Sequence, residues 1–287
     1  MSFYVLALVL TAAVLHAFWN LLSKKANGKA PFIWLMYIAS TILYLPVLFY
    51  SLHKGDLIFS YPLLWLSLGS AVLHIGYFLV LQKGYRSSDL SVVYPLARGT
   101  GPLFSCIGAI LFLQEPLKLK ASLGLLLILA GVLVITGISF NKKNNPKVMT
   151  GVFWGTMTGL LIALYTLNDA VAIKTYALSP IVLTFASNIF CTVLLFPFVI
   201  SQKQEIKREV KEHKWSIVAI GLLSPAAYIL VLEALKHAPL TVIAPARETS
   251  ILLGVFMGAK VLNENDGKRR LIASALILGG IIALSLN

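Results

Sequence analysis

The sequence predicts an all-α integral membrane protein, with ten transmembrane helices arranged as two inverted five-helix repeats. Three observations carry this prediction. The 287 residues are 58% hydrophobic and only 12% charged, too apolar for a water-soluble fold. Their apolar residues gather in ten runs of about 20 residues, the length that crosses the hydrocarbon core of a bilayer as a helix. The second half of the chain also repeats short segments of the first in the same order.

The runs fall at 2–23, 31–52, 62–82, 90–113, 120–139, 151–173, 180–201, 216–236, 240–262 and 271–286. Turn and charge clusters separate them, such as the stretch from Lys24 to Pro31, His53 to Asp56, Arg86 to Asp89 and Asn141 to Pro146. The N-terminal run has no basic segment ahead of it and continues past Trp19 to Lys24 and Lys25, which reads as a retained first helix.

The repeat is clearest between the third and eighth runs. Tyr77-Phe-Leu-Val-Leu-Gln82 faces Tyr228-Ile-Leu-Val-Leu-Glu233, identical at four of six positions. Further on, Phe112-Leu-Gln-Glu115 matches Val261-Leu-Asn-Glu264, and Ala130-Gly131-Val132 matches Gly279-Gly280-Ile281. In the first run of each half, Trp19-Asn20 corresponds to Leu167-Asn168, with Asp169 next. The units are 1–141 and 148–287. Five spans per unit is an odd number, so one unit must enter the membrane upside-down relative to the other. Inverted repeats of this kind build secondary transporters, whose sites lie near the midplane between the halves.

The fourth run holds the most unusual stretch, Ser91 to Pro102, with an arginine, two prolines and two glycines in an otherwise apolar sequence. At about 1.5 Å per residue, Arg98 lies roughly 12 Å past a helix start near Leu90. An uncompensated arginine at that depth costs at least about 2.5–3.5 kcal/mol, which makes Arg98 a functional candidate. Leu240 to Glu248 repeats the device, with Pro245 and Arg247. Both arginines are expected to hold an anionic group of a substrate by charge-assisted hydrogen bonds, or else to brace the bundle on Glu233, Glu248 or Asp169.

Other polar residues in the spans fill out the candidate site. His16 and Asn20, four apart in the first run beside Trp19, share a helix face. His74 has an ordinary pKa near working pH and could relay protons, or could simply bond between helices. Tyr77 and Tyr228 are repeated and deep; Tyr94 and Tyr165 could line the same cavity. The candidate substrate-binding set is therefore Arg98, Arg247, His74, Tyr77, Tyr94, Tyr228, His16, Trp19, Asn20, Asn168 and Asp169, around a wet central chamber. Glu115 and Glu264 end spans and read as structural, bonding connectors.

Several classes are excluded or disfavoured. The formal net charge of +13 is dispersed over short connectors, which fits anionic membrane lipid and not nucleic acid. The two cysteines, Cys106 and Cys191, sit inside spans as small hydrophobes and make no disulfide or metal framework. The five histidines are scattered, with no His-Glu-x-x-His and no phosphate loop. No catalytic group, metal or cofactor is predicted, and an enzyme is the least favoured class. Small-residue faces at Gly151, Gly155 and Gly159, at Gly254 and Gly258, and at Ala275 and Gly279 point to close helix packing within a monomer, with a homodimer seam as the alternative. Sixteen Lys and Arg residues follow odd-numbered spans and five follow even-numbered ones, which by the positive-inside rule puts both termini outside.

Taken together, two five-span halves, the Glu-turn at Glu115 with Pro102 thirteen residues ahead of it, the Gly-containing helix from Gly124 to Gly137, and Trp19-Asn20 followed by lysines resemble the EamA-type proteins of the drug/metabolite transporter superfamily. The resemblance covers nearly the whole chain. It departs at Ile251, where a second copy of Pro102 would map, and in the charge bias, since cytoplasmic termini are commonly assumed for the family. It implies a multi-pass protein of the cell membrane that exports a small metabolite by alternating access, through a cavity lined by spans one, three, four, six, eight and nine. The arginines point to an anionic or zwitterionic substrate such as an amino acid. The alternatives are a flippase for lipid or lipid-linked sugar, and a cationic drug/proton antiporter; the first span lacks the carboxylate that such an antiporter would use.

Overall fold

The computed structural model describes residues 1–26, 28–55, 60–88, 90–115, 119–136, 146–250, 272, 275–280 and 282–283. Among them, helices follow one another as α1 (Phe3–Ala26), α2 (Ala30–His53), α3 (Tyr61–Ser87), α4 (Leu90–Phe112), α5 (Leu119–Thr136), α6 (Pro146–Lys174), α7 (Pro180–Val199), α8 (Lys203–His237) and α9 (Leu240–Arg247). Six of these, α1 to α3 and α6 to α8, contain stretches long and apolar enough to cross a membrane. Shorter apolar stretches, Gly99–Phe112 and Ser122–Gly131, lie in α4 and α5. Residues 275–280 are helical within the tenth apolar run. The ninth run beyond Ser250, with Gly254 and Gly258, and Glu264 after it lie outside the described residues.

Local sequence accounts for the helix ends. Prolines stand at the first positions of α2, α3 and α7, where the missing N–H has no partner to lose. The Ser60 hydroxyl caps α3 by accepting from the Leu63 N–H at 3.4 Å. Pro46 inside α2 and Pro197 inside α7 stand 151 residues apart, the same offset that separates Tyr77 from Tyr228. The repeat therefore extends to positions that bend helices. Large apolar side chains such as Phe49, Trp65, Phe112 and Phe198 are exposed, as lipid-facing side chains must be.

The halves interleave. α6 packs on α3 and α4 of the first half, and α8 packs on α1 and α2, while α7 lies against α2 and α3. Since α1 corresponds to α6 and α3 to α8, the α1–α8 and α6–α3 contacts are copies of one another. The core follows from this. Its larger apolar cluster joins Val5 and Val9 of α1, Leu63 of α3, Ala170 of α6, Leu183 of α7, Leu235 of α8 and Ile243 of α9. Those positions lie toward the ends of α6 and α8 and the starts of α1, α3, α7 and α9, so the cluster seals one face of the bundle. A smaller cluster at the other face groups Ala26, Phe32, Ile217 and Ile220, with Trp19 packed against it.

Small residues make the closest approach. A Cβ at Gly155 would stand 2.8 Å from Leu96 Cβ and 2.9 Å from the Val93 carbonyl, and one at Gly159 would collide with Thr100. The α6 glycine face therefore serves packing on α4 inside the monomer. Gly155→Ala is expected to lower stability by about 1–3 kcal/mol, the usual penalty for overpacking, read by thermal unfolding in detergent. In the tenth run the expected pair needs correcting. Among the described residues nothing lies within 4 Å of a Cβ at Gly279, whereas one at Gly280 would stand 2.7 Å from the Gly124 carbonyl of α5. Gly280 faces the bundle and Gly279 faces away from it.

A second correction concerns residues 202–215, which the sequence reads as a connector. From Lys203 on they are helical and open α8, with non-helical geometry at His213 (φ −125°, ψ 15°) setting the first three turns apart from the spanning part. Their polarity hides the helix from a search for apolar runs; ion pairs from Arg208 to Glu205 (2.6 Å), Glu209 (3.6 Å) and Glu212 (3.9 Å) support it.

Candidate functional site

Asp169 is the centre of the polar interior. It is 0% exposed on α6, and three side chains donate to it. Ser70 Oγ of α3 reaches Oδ2 at 3.0 Å, Asn168 Nδ2 reaches Oδ1 at 2.8 Å, and the Tyr228 hydroxyl of α8 donates to Oδ2. Asn168 also donates to the Leu66 carbonyl of α3 at 2.9 Å. Gly69 makes room for that amide, since a Cβ there would stand 3.0 Å from Asn168 Oδ1.

Helix periodicity assembles these groups. Ser70, His74 and Tyr77 recur at intervals of four and three on α3, and Tyr165, Asn168 and Asp169 at three and four on α6, so each set shares one face. At about 1.5 Å per residue, Ser70 and Tyr228 lie roughly 13 Å from the helix ends at the sealed face, near the bilayer midplane. His74 Nδ1 stands 2.8 Å from the Ser70 carbonyl and 3.3 Å from its hydroxyl. A carbonyl only accepts, so Nδ1 carries the proton. The His74 ring stacks on Tyr165 at 4.0 Å and meets the edge of Tyr228 at 5.6 Å; Tyr77 meets Tyr165 at 5.9 Å. Ser70 thereby links the imidazole to the carboxylate.

Arg247 ends α9 and is 6% exposed. The chain turns after it, with Glu248 N–H donating to the Pro245 carbonyl at 3.0 Å and Thr249 N–H to the Ala246 carbonyl at 3.2 Å. The ninth run is thus interrupted about 10 Å from its start, and a cation there suits the negative end of the short helix. The guanidinium lies within electrostatic range of His74 and Tyr228. A basic and an acidic buried side chain therefore border the same cluster of rings. Glu233, one of the expected partners of the arginines, bonds Lys236 at 2.8 Å and His237 at 3.5 Å instead.

The start of α9 is held by the other half of the chain. Glu115 accepts from the Leu240 N–H at 2.8 Å, from the Thr241 N–H at 3.0 Å and from the Thr241 hydroxyl at 3.1 Å. Lys174 Nζ, at the end of α6, stands 2.9 Å from the same carboxylate. The carboxylate thus fills the role of a helix cap, supplied from a distance of 125 residues. Burial pushes the Glu115 carboxyl up, but the Thr241 and Leu240 amides and Lys174 together outweigh it and hold the group below its ordinary value of 4.5.

The structure thus brings together His74, Tyr77, Asn168, Asp169 and Tyr228, with Arg247 beside them. His16 and Trp19 form a pair of their own, Trp19 Nε1 donating to His16 Nδ1 at 3.2 Å, and Trp19 belongs to the apolar cluster of the opposite face. The side chains of Asn20, Tyr94 and Arg98 lie outside the described residues. Ser70 was not among the sequence candidates; its one signal was its position four residues before His74. Among the described residues, cavities of about 240 and 370 Å³ lie outside this cluster, one between α2 and α7 at Thr41 and Thr192, the other between α4 and α6 at Phe104 and Met157.

Two inverted bundles enclosing polar groups at mid-membrane define a class, the multi-pass helical transporters. The chain belongs to the EamA-like transporter family, whose model matches it twice, over residues 3–137 and 149–286. It is accordingly a membrane transporter of the drug/metabolite superfamily and not an enzyme. A solved structure, described only as a crystal structure of a protein, shares the fold with a TM-score of 0.71 and 18% identity, over 98% of this chain and 96% of that one. No curated protein matches the chain.

Proposed function

We propose that the protein is a secondary transporter of the cell membrane that exports a small zwitterionic metabolite, such as an amino acid, by alternating access. One observation supports the substrate class: Asp169, bonded by Tyr228 and linked through Ser70 to His74, and Arg247 are an acidic and a basic side chain buried at the same cluster of rings. In a medium of low dielectric constant, charges are retained where a partner compensates them. A zwitterion would present its ammonium group to Asp169 and its carboxylate to Arg247, with the rings as walls. Aromatic rings around a lone carboxylate would suit an organic cation; the neighbouring guanidinium repels one. The direction of transport rests on the family resemblance.

The contacts at one face support alternating access. The Glu115 junction and the larger apolar cluster close one face, so opening there requires α9 and the end of α6 to part. Purified protein in liposomes, loaded in turn with amino acids, organic acids and lipophilic cations, tests the substrate class by counterflow. Accumulation of a labelled amino acid is expected. Counterflow of cations alone would overturn it.

A further inference from the structure

The first three turns of α8 divide their charges by face. Lys203, Lys207, Lys211 and Lys214 fall within about 80° of one another at 3.6 residues per turn, whereas Glu205, Glu209 and Glu212 occupy the opposite side. The glutamates are already engaged. Arg208 pairs with Glu205 at 2.6 Å, His213 Nε2 stands 3.8 Å from Glu209, and Lys29 of the α1–α2 turn reaches Glu205 at 3.6 Å. Phe32, at the start of α2, meets the His213 ring at 6.0 Å. Contacts from both Lys29 and Phe32 tie the segment along the α1–α2 turn, which itself stands where two spans leave the membrane.

The lysines are left facing outward. All four are exposed, and none forms an ion pair among the described residues. Beside them on the wheel stands Val210, 45% exposed, and Trp215 follows at the entry to the apolar part of α8, 75% exposed with Lys214 Nζ over its ring at 5.6 Å. Exposed apolar and aromatic groups flanked by long cationic stems are the composition of a helix lying in the headgroup layer, with lysines reaching up to phosphates. The break at His213 lets the segment leave the direction of the span.

We propose that residues 203–215 form an interfacial arm that binds anionic phospholipid headgroups through Lys203, Lys207, Lys211 and Lys214, with Trp215 as its anchor. Such an arm fastens the α1–α2 turn and the start of α8 to the bilayer surface on the side where the basic connectors gather. The arm is independent of the transported substrate.

The test uses the full chain in nanodiscs of mixed phosphatidylcholine and phosphatidylglycerol, with retained lipids identified by native mass spectrometry. The wild type is expected to retain phosphatidylglycerol at least several-fold over its share of the bilayer. The quadruple variant K203Q/K207Q/K211Q/K214Q is expected to lose that excess with an unchanged melting temperature, while the corresponding Lys→Arg variant keeps it. Equal enrichment in the glutamine variant would overturn the proposal, as would a wild type without preference, the result expected of an arm meant for an acidic protein. Loss in the arginine variant would also contradict a charge-based site.

Discussion

Glu115→Ala is expected to lower folding stability by about 3–5 kcal/mol, the range for removing one partner of a buried, hydrogen-bonded ion pair. Glu115 is 8% exposed, and its loss leaves the Leu240 and Thr241 amides without their acceptor and Lys174 facing an empty position. Glu115→Gln keeps an acceptor but no charge and is expected to fall between the two. Because folding depresses the carboxyl below its ordinary value of 4.5, its contribution is complete above that pH and disappears as acid takes the pH through the folded value. Unfolding in detergent measured from pH 7 down to 3 should therefore show the wild type converging on Glu115→Ala. A constant difference across that range would mean that the carboxylate contributes by packing alone.

Asp169→Asn is expected to weaken binding of a zwitterion by about 100-fold, within the cost of truncating one side of a buried charge pair. A desamino analogue, which offers only a carboxylate to Arg247, should lose little or gain. The contrast between the two ligands separates a charge effect from a misfolded site. Equal losses for both would place Asp169 in the scaffold, holding Ser70, Asn168 and Tyr228 in register.

The spans were legible in the sequence because lipid enforces long apolar runs, and the repeat was legible because Tyr77 and Tyr228 sit in nearly identical hexapeptides. What the repeat could not show was interleaving: it says that α3 corresponds to α8, not that α3 packs on α6. The Asp169 cluster was half visible. Asp169, Asn168, His74 and Tyr228 stand out as polar groups in lipid-length helices, whereas Ser70 is one of many serines that can satisfy themselves on their own helix, as Ser67 does on the Leu63 carbonyl. Glu115 was placed at a turn, but its partner at Leu240 lies in the other half and no local pattern points there. The arm of α8 escaped notice because ion pairs, not apolar periodicity, support it.

If the Asp169 cluster lines a route that opens in turn to the two faces, its closed state must give way to water. A membrane-impermeant maleimide applied to Tyr77→Cys in oriented liposomes reads this directly, with the buried Cys106 and Cys191 as built-in unreactive controls, 1% and 2% exposed. Labelling that an amino-acid substrate slows is the expected result. A cysteine at that position as inert as Cys106 and Cys191, with substrate and without it, from either side, would contradict a transport route through the cluster.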